Sequence, residues 1–441
     1  MFDVADPKEY RTLAKESAQA ELDPELKADL ALDLPVAGKK WPPIVRAFRN
    51  EDYRLFWGGC LLSNVGTWMQ NVAQGWLVLE LSNSSFWLGM IGFAAAFPFL
   101  LFTLFGGVIA DRVSKRHLLI GTQTAQMVFA FVLAFLTYFK VITIGQLAVL
   151  AFLTGITNAL NAPAYQAMVP RLVPAEDLQN AIALNSAQFN MSRIIGPTLG
   201  GYAMAWFGMA GNFFLNGFSF LAVLWPLFRM RYPAERQERH TSVLQSLRDG
   251  IAYVRRSPEM SAIVMLIASA SLLLLPFITF IPYFAKDVLK VGERGLGFLM
   301  ACSGIGALLA AGVIAYMGRI RWRGRVIVFF GLFVMAAVII FCYSHSFALS
   351  AAMSFCEGFG MIISLSMVNV TMQQLSSDEM RGRVMSIYAT SFLGLPPVGC
   401  LLIGELSRHM PTEHAIAAMT GVAMVCYLGF YARSKPLREL D

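Results

Sequence analysis

Charge is scarce in this sequence. Asp, Glu, Lys and Arg make up 14% of its 441 residues, and hydrophobic residues make up 56%. Ordinary soluble domains carry roughly 25% charged residues. A soluble chain so poor in charge could not cover its surface with polar groups, which excludes an ordinary soluble enzyme and any disordered class. A disulfide framework is excluded too, because Cys60, Cys302, Cys342, Cys356, Cys400 and Cys426 fall in apolar stretches without paired spacing. His117, His240, His345, His409 and His414 form no metal-ligand set. No G-x-x-x-x-G-K-[ST] motif occurs, so ATP is not the evident energy source, and no cofactor is implied. No helix carries a ladder of arginines of the voltage-sensor kind. Residues 1–52 hold no apolar run of signal-peptide length, so the first apolar segment should remain as an anchor.

What the chain has instead is long apolar runs. Twelve come near the ~20 residues that a bilayer span needs: 55–79, 86–110, 117–139, 143–167, 180–207, 211–229, 260–285, 294–317, 326–344, 347–371, 384–406 and 415–432. Lipid offers the backbone no hydrogen-bond partner, so each run reads as a helix. The fold class is an all-α polytopic membrane protein with twelve spans. Its net charge of +7 concerns loop placement and not nucleic acid. With the N-terminus in the cytoplasm, the cytoplasmic connections, the lead-in from Lys39 and the C-terminal tail hold 25 Lys and Arg, against five outside: Lys140, Lys286, Lys290, Arg294 and Arg408. Both termini are then cytoplasmic.

The longest interior connection carries Val243, Leu244, Leu247, Ile251 and Val254 at helical spacing, with arginines between them. It reads as an amphipathic helix on the inner membrane face, closed by Pro258. The chain therefore divides into an acidic cytosolic tail and lead-in (1–52), a six-helix bundle (53–229), a cytoplasmic linker (230–259), a second six-helix bundle (260–432) and a short cytoplasmic tail (433–441). The two bundles look like repeats. Gly107-Val108-Ile109-Ala110 ends the second span of one and Gly312-Val313-Ile314-Ala315 the second span of the other. Gly196-Pro197-Thr198-Leu199-Gly200-Gly201 in span five is matched by Leu395-Pro396-Pro397-Val398-Gly399-Cys400 in span eleven.

Several groups could carry chemistry. Gly107, Asp111, Arg112, Lys115 and Arg116 place a carboxylate and cations where a helix emerges on the cytoplasmic side. Such a group can serve as a conformational latch across a helix seam, or as a topogenic basic loop with one incidental acid. Gly196, Pro197, Gly200 and Gly201 strip one helix face for close packing. Asn64, Thr67, Asn71 and Gln74 share one face of span one, and Thr154, Thr157, Asn158 and Asn161 one face of span four. Two polar faces suit a wet central cavity, or interhelical hydrogen bonding. Trp68, Trp76 and Phe280 could add aromatic walls. Glu357 is the one acid well inside a span. Removing a carboxylate from water disfavours its charged form, so such an acid can load and release a proton; a structural partner for a hydroxyl, an amide or Arg193 is the alternative. Arg193, also inside a span, reads as a structural anchor or an anion contact.

The loop Gly107-Val108-Ile109-Ala110-Asp111-Arg112-Val113-Ser114-Lys115-Arg116 resembles the G-x-x-x-D-R-x-G-R-R pattern of the major facilitator superfamily, with Ser114 in place of its glycine. Gly196-Pro197-x-x-Gly200-Gly201 is similar to the fifth-helix motif of exporters that work by drug/proton antiport, although Ser192 occupies the place of an upstream glycine. Phe48-Arg49-Asn50-Glu51-Asp52-Tyr53-Arg54-Leu55-Phe56-Trp57, Gly66-Thr67-Trp68-Met69-Gln70, Trp76-Leu77-Val78-Leu79-Glu80, Leu178-Gln179-Asn180-Ala181 and Met380-Arg381-Gly382-Arg383-Val384-Met385-Ser386 resemble the enterobactin-exporter and macrolide-efflux branch, the transmembrane secretion effectors. The resemblance covers roughly residues 45–432. It implies two six-helix bundles, a cavity lined by spans one, four, seven and ten, and a bacterial inner-membrane exporter. The function expected from it is secondary active export of a small, partly apolar compound (a siderophore, macrolide or other drug) by alternating access and proton antiport. The expected partners are that compound, protons and the bilayer, with no nucleic acid, and the expected unit is a monomer. An importer or lysophospholipid flippase on the same fold is the rival, and a non-transporting scaffold or sensor a more distant one.

Overall fold

The computed structural model describes residues 42–112, 114–230, 243–317 and 322–438. The acidic tail before residue 42 lies outside the described residues. Among the described residues all regular structure is helical. The spans, numbered in chain order, are one (Glu51–Ser82), two (Ser85–Arg112), three (Lys115–Tyr138), four (Ile144–Leu172), five and six (the two parts of Leu178–Arg229), seven (Pro258–Leu273 continued by Phe277–Tyr283), eight (Gly292–Met317), nine (Arg323–Cys342), ten (Phe347–Leu375), eleven (Arg381–Gly394 continued by Pro396–Leu406) and twelve (Thr412–Arg433).

Leu178–Arg229 is 52 residues of nearly unbroken helix, which at 1.5 Å per residue is more than twice the ~30 Å of a hydrocarbon core. Gly208, at φ +70°, divides it, in a backbone region that glycine enters without a steric penalty. The contacts with span one show the reversal. Trp57 meets Leu184 and Met69 meets Gly200, so span five runs parallel to span one. Gly59 meets Ala222 and Gln70 meets Asn216, so span six runs antiparallel to it.

Local chemistry sets other boundaries. Thr143 starts span four with a reciprocal cap: its Oγ1 accepts from Gln146 N at 3.3 Å, while the Gln146 side chain accepts from Thr143 N at 2.9 Å. Ser257 caps span seven, accepting from Met260 N at 3.2 Å, with Pro258 in the first helical position. Pro396 interrupts span eleven, as expected of a residue without a backbone donor.

The faces turned away from the bundle are apolar. Phe218, Leu221, Trp225 and Phe228 are all exposed along one side of span six, a stripe that only lipid would cover favourably. The start of span one is tied to the start of span five: Tyr53 Oη donates to Ala181 O at 2.9 Å, Trp57 Nε1 to Leu184 O at 3.0 Å, and Gln188 Nε2 to Trp57 O at 2.8 Å.

The amphipathic segment of the linker is a helix, Val243–Arg256. It docks on the start of span eleven. Arg383 pairs with Asp249 at 3.1 Å, Tyr253 Oη accepts from Ser377 N at 3.3 Å, and Gly250 leaves room for Ile387. Protein thus covers one side of it, while Val243, Leu244 and Leu247, which carry the membrane-face expectation, have side chains outside the described residues. The end of the molecule carrying this helix is termed the linker end, and the opposite one the short-turn end.

Candidate functional site

Glycines set how closely the helices approach, and the approach places the polar groups. A methyl group at Gly358 of span ten would lie 1.9 Å from Ser303 O, and one at Gly304 of span eight would lie 2.7 Å from Ile194 and 3.1 Å from Arg193 O. Spans five, eight and ten therefore meet at backbone distance around three consecutive partners. Arg193 Nη2 donates to Ser303 Oγ at 2.9 Å, and Ser303 Oγ donates to Glu357 Oε2 at 2.7 Å. The two ionisable residues singled out inside spans are thus joined through one hydroxyl, across the boundary between the halves. Glu357 is buried, and Arg193 is half-buried.

Ser303 and Arg193 also face a cavity of about 410 Å³, whose other walls include Trp68, Phe189, Pro197, Met300, Met361 and Phe392. Trp68 and Phe189 form an edge-on pair at 6.2 Å. A second cavity, of about 200 Å³, shares Trp68, Ile278 and Met300 with the first and adds Asn71, Gln74 and Thr279. A third, of about 570 Å³, shares Phe189 and runs toward the linker end past Tyr165, Gln166, Asn185, Ser186 and Asn190. Ile182, Ser186 and Phe189 are exposed on one face of span five leading up to Arg193. Beyond Arg193 the same helix is buried at Gly196, Pro197, Gly200 and Gly201.

That buried stretch divides its glycines between two neighbours. Gly196 and Gly200 face Trp68 and Met69 of span one, while a methyl group at Gly201 would lie 2.6 Å from Glu293 O and 3.3 Å from Gly297 Cα of span eight. Span eleven repeats the arrangement. Gly399 presses on Leu272 of span seven, and Gly89 and Gly404 bring spans two and eleven together near Cys400 O and Phe86 O. The matching motifs occupy matching seams, although span five stays helical through Pro197 and span eleven breaks at Leu395. More contacts join the halves at the short-turn end. Lys286 Nζ donates to Leu79 O at 3.0 Å, Thr412 Oγ1 to Ser85 Oγ at 2.8 Å, and the Arg294 and Arg408 guanidinium groups lie 5.6 Å and 5.1 Å from the Tyr202 and Phe86 ring centres.

The polar faces of spans one and four have different surroundings. Thr67 Oγ1 donates to Ser63 O at 2.9 Å within its own helix, and Asn64 is half-buried. Asn71 and Gln74 line the second cavity. The span-four face turns to span three: Asn158 Oδ1 accepts from Gln126 Nε2 at 2.7 Å, and Asn161 Oδ1 accepts from Thr122 Oγ1 at 3.1 Å and Gln123 Nε2 at 3.3 Å. Thr157 Oγ1 donates to Thr154 O at 2.8 Å. None of Thr154, Thr157, Asn158 and Asn161 lines the three cavities, and span four instead contributes Tyr165, Gln166, Val169 and Pro170 to the third. Trp76 and Phe280 are buried in the core, so of the three aromatics Trp68 alone walls these cavities. Gly107, Asp111 and Arg112 lie on span two, but their side chains fall outside the described residues, as does Val113.

Of the basic residues after span two, Lys115 begins span three. Arg116 Nε donates to Leu227 O at 2.6 Å and Nη2 to Phe228 O at 2.9 Å, covering carbonyls that the end of span six leaves open. Arg116→Ala should destabilise the protein by about 1.5–3 kcal/mol, the usual worth of hydrogen bonds to a charged group. Thermal unfolding in detergent checks this. An unchanged midpoint would mean that water replaces the guanidinium at no cost.

Ser303 was not singled out from the sequence, nor were the apolar walls formed by Ile278, Met300, Met361 and Phe392. A serine in an apolar span carries no distinguishing local signal, although the glycine beside it marks a close approach.

The transmembrane secretion effector family model matches residues 42–441. The chain is similar to the staphyloferrin A transporter of Staphylococcus aureus (23% identical, covering 87% of this chain and 97% of that protein). It is also similar to the multidrug efflux pump Tap of Mycolicibacterium fortuitum (25% identical, covering 86% and 95%). The fold is that of solved major facilitator transporters such as the nucleoside transporter NupG, with a TM-score of 0.71 at 11% identity, covering 87% of this chain and 99% of that one.

Proposed function

Because the chain belongs to the transmembrane secretion effector family of major facilitator transporters, we propose that it is a secondary active exporter driven by proton antiport. Its cargo is a small, partly apolar compound of the siderophore or drug kind. The observation that carries this reading is the Arg193–Ser303–Glu357 chain, which bridges the two halves at the wall of the central cavity. A proton-loading acid must feel which way the halves are tilted, and an acid linked to the opposite half through one hydroxyl does so.

In this reading the linker end is cytoplasmic and the protein sits in the bacterial inner membrane with both termini inside. The Lys and Arg asymmetry supports that orientation. The conformation is then inward-open. The exposed face of span five leads cargo from the cytoplasm to Arg193, and the glycine seams and the Lys286, Thr412, Arg294 and Arg408 contacts shut the outer end. Rocking of the halves breaks those contacts and closes the inner path around the cargo. The aromatic pair Trp68–Phe189 offers a face for a flat apolar body, while Asn71 and Gln74 offer amides for its polar edge. One copy of the chain carries the whole path, so the transporting unit is a monomer.

The test is transport in inside-out membrane vesicles with an acidified lumen, using a catecholate siderophore and a fluorescent amphipathic dye as probes. Either probe should accumulate in the lumen and leak out when a protonophore collapses the gradient. Accumulation that ignores the protonophore would remove the antiport reading, and movement only out of the lumen would make the protein an importer.

A further inference from the structure

Glu357 holds the site's acid, yet it does not line the cavity in front of it; Ser303 does. Glu357 is 3% exposed, and the hydroxyl bonded to its Oε2 at 2.7 Å belongs to a residue that lines the open space. We infer that Ser303 is a proton relay, the hydroxyl through which protons pass between water in the central cavity and the Glu357 carboxylate. This rests on the proposed role of Glu357 as the coupling acid.

The geometry of one oxygen makes the case. Ser303 Oγ has one hydrogen and two lone pairs. Its hydrogen points to Glu357, and one lone pair accepts from Arg193 Nη2 at 2.9 Å. The guanidinium cannot accept a proton in return, so it fixes the direction of the hydroxyl. The second lone pair is left for a cavity water, and about 410 Å³ leaves ample room for one. In the transfer, a hydronium proton bonds to that lone pair while the original Oγ–H proton passes to Oε2. One proton has then moved from water to the carboxylate, and Ser303 ends as a neutral hydroxyl that rotation about Cβ–Oγ resets. Release runs the same steps in reverse.

Ser303 is the hydroxyl bonded to Glu357 that also faces the cavity. From span five the facing group is Arg193, and from span eight it is Ser303; among the described residues spans seven, nine and eleven, which also pack on span ten, bring no charged group to bear on Glu357. Gly304 and Gly358 hold the oxygen in place from both sides by keeping spans five, eight and ten at backbone distance.

The test follows protonation itself rather than transport. After a rapid pH jump on the purified full-length protein, infrared absorption of the protonated carboxyl group reports Glu357, and the band is assigned by its loss in Glu357→Gln. In Ser303→Ala the band should rise roughly 10²-fold more slowly or worse, the low end of what a positioned proton donor contributes. Ser303→Thr, which keeps the hydroxyl, should restore the rapid rise, and Ser303→Cys, close in volume with a weak donor, should remain slow. A Ser303→Ala protein with wild-type kinetics overturns the relay while leaving the acid in place, as does a Ser303→Thr protein as slow as Ser303→Ala. If Glu357→Gln removes no band, the assignment of Glu357 falls first and the relay falls with it.

Discussion

Glu357→Gln is expected to reduce gradient-driven export to the level of vesicles lacking the protein, while exchange of labelled for unlabelled cargo without a gradient continues. The two side chains have nearly the same shape. Glutamine keeps a carbonyl oxygen where Oε2 accepts from Ser303 Oγ at 2.7 Å, so the contact among spans five, eight and ten survives. It cannot bind and lose a proton at physiological pH. Coupling requires a group that is protonated in one leg of the cycle and empty in the other. Without it the halves still rock, and cargo runs down its own gradient. Side-by-side measurement of protonophore-sensitive accumulation and of exchange separates the two effects. If the variant accumulates cargo as the wild type does, the proton is carried elsewhere. If exchange is lost as well, Glu357 holds the cargo or the fold together instead.

The second large effect should come from Gly201→Val. In this conformation the first carbon of the new side chain would lie 2.6 Å from Glu293 O and 3.3 Å from Gly297 Cα, and the valine branches have no free direction on a helix face already in backbone contact. Overpacking of this kind costs about 1–3 kcal/mol, which moves a two-state ratio roughly 5- to 150-fold. The cost falls only on the state in which spans five and eight touch at the short-turn end. Spin labels placed on these spans beyond the seam should therefore report a longer separation in Gly201→Val. Gly58→Ala, at a position with nothing within 4 Å, serves as the control. A folded Gly201→Val protein with an unchanged distance would argue against opening at this seam.

The twelve spans were legible because lipid selects for long apolar runs, and the glycine seam because only the smallest residues permit backbone contact. Helical spacing put Asn64, Thr67, Asn71 and Gln74 on one face, and of these Asn71 and Gln74 line a cavity while Thr67 bonds within its own helix. The same spacing on span four led elsewhere, since Asn158 and Asn161 turn to Gln126, Thr122 and Gln123 on span three. Periodicity states that a polar face exists, not whether water or another amide meets it. The link between Arg193 and Glu357 was beyond sequence for a similar reason. It passes through Ser303, 110 residues from one partner and 54 from the other, and only the packing of three helices brings the oxygen between them.

Many contacts between helices share one design: a side-chain donor on one helix and a main-chain carbonyl on the other. Lys286 bonds Leu79 O, Arg116 bonds Leu227 O and Phe228 O, Tyr53 bonds Ala181 O, and Trp57 bonds Leu184 O. No substitution at Leu79, Ala181, Leu184, Leu227 or Phe228 deletes the carbonyl oxygen. Each of these bonds thus offers evolution one vulnerable codon instead of two. The acceptor helices can drift toward new cargo while the framework that holds them keeps its joints.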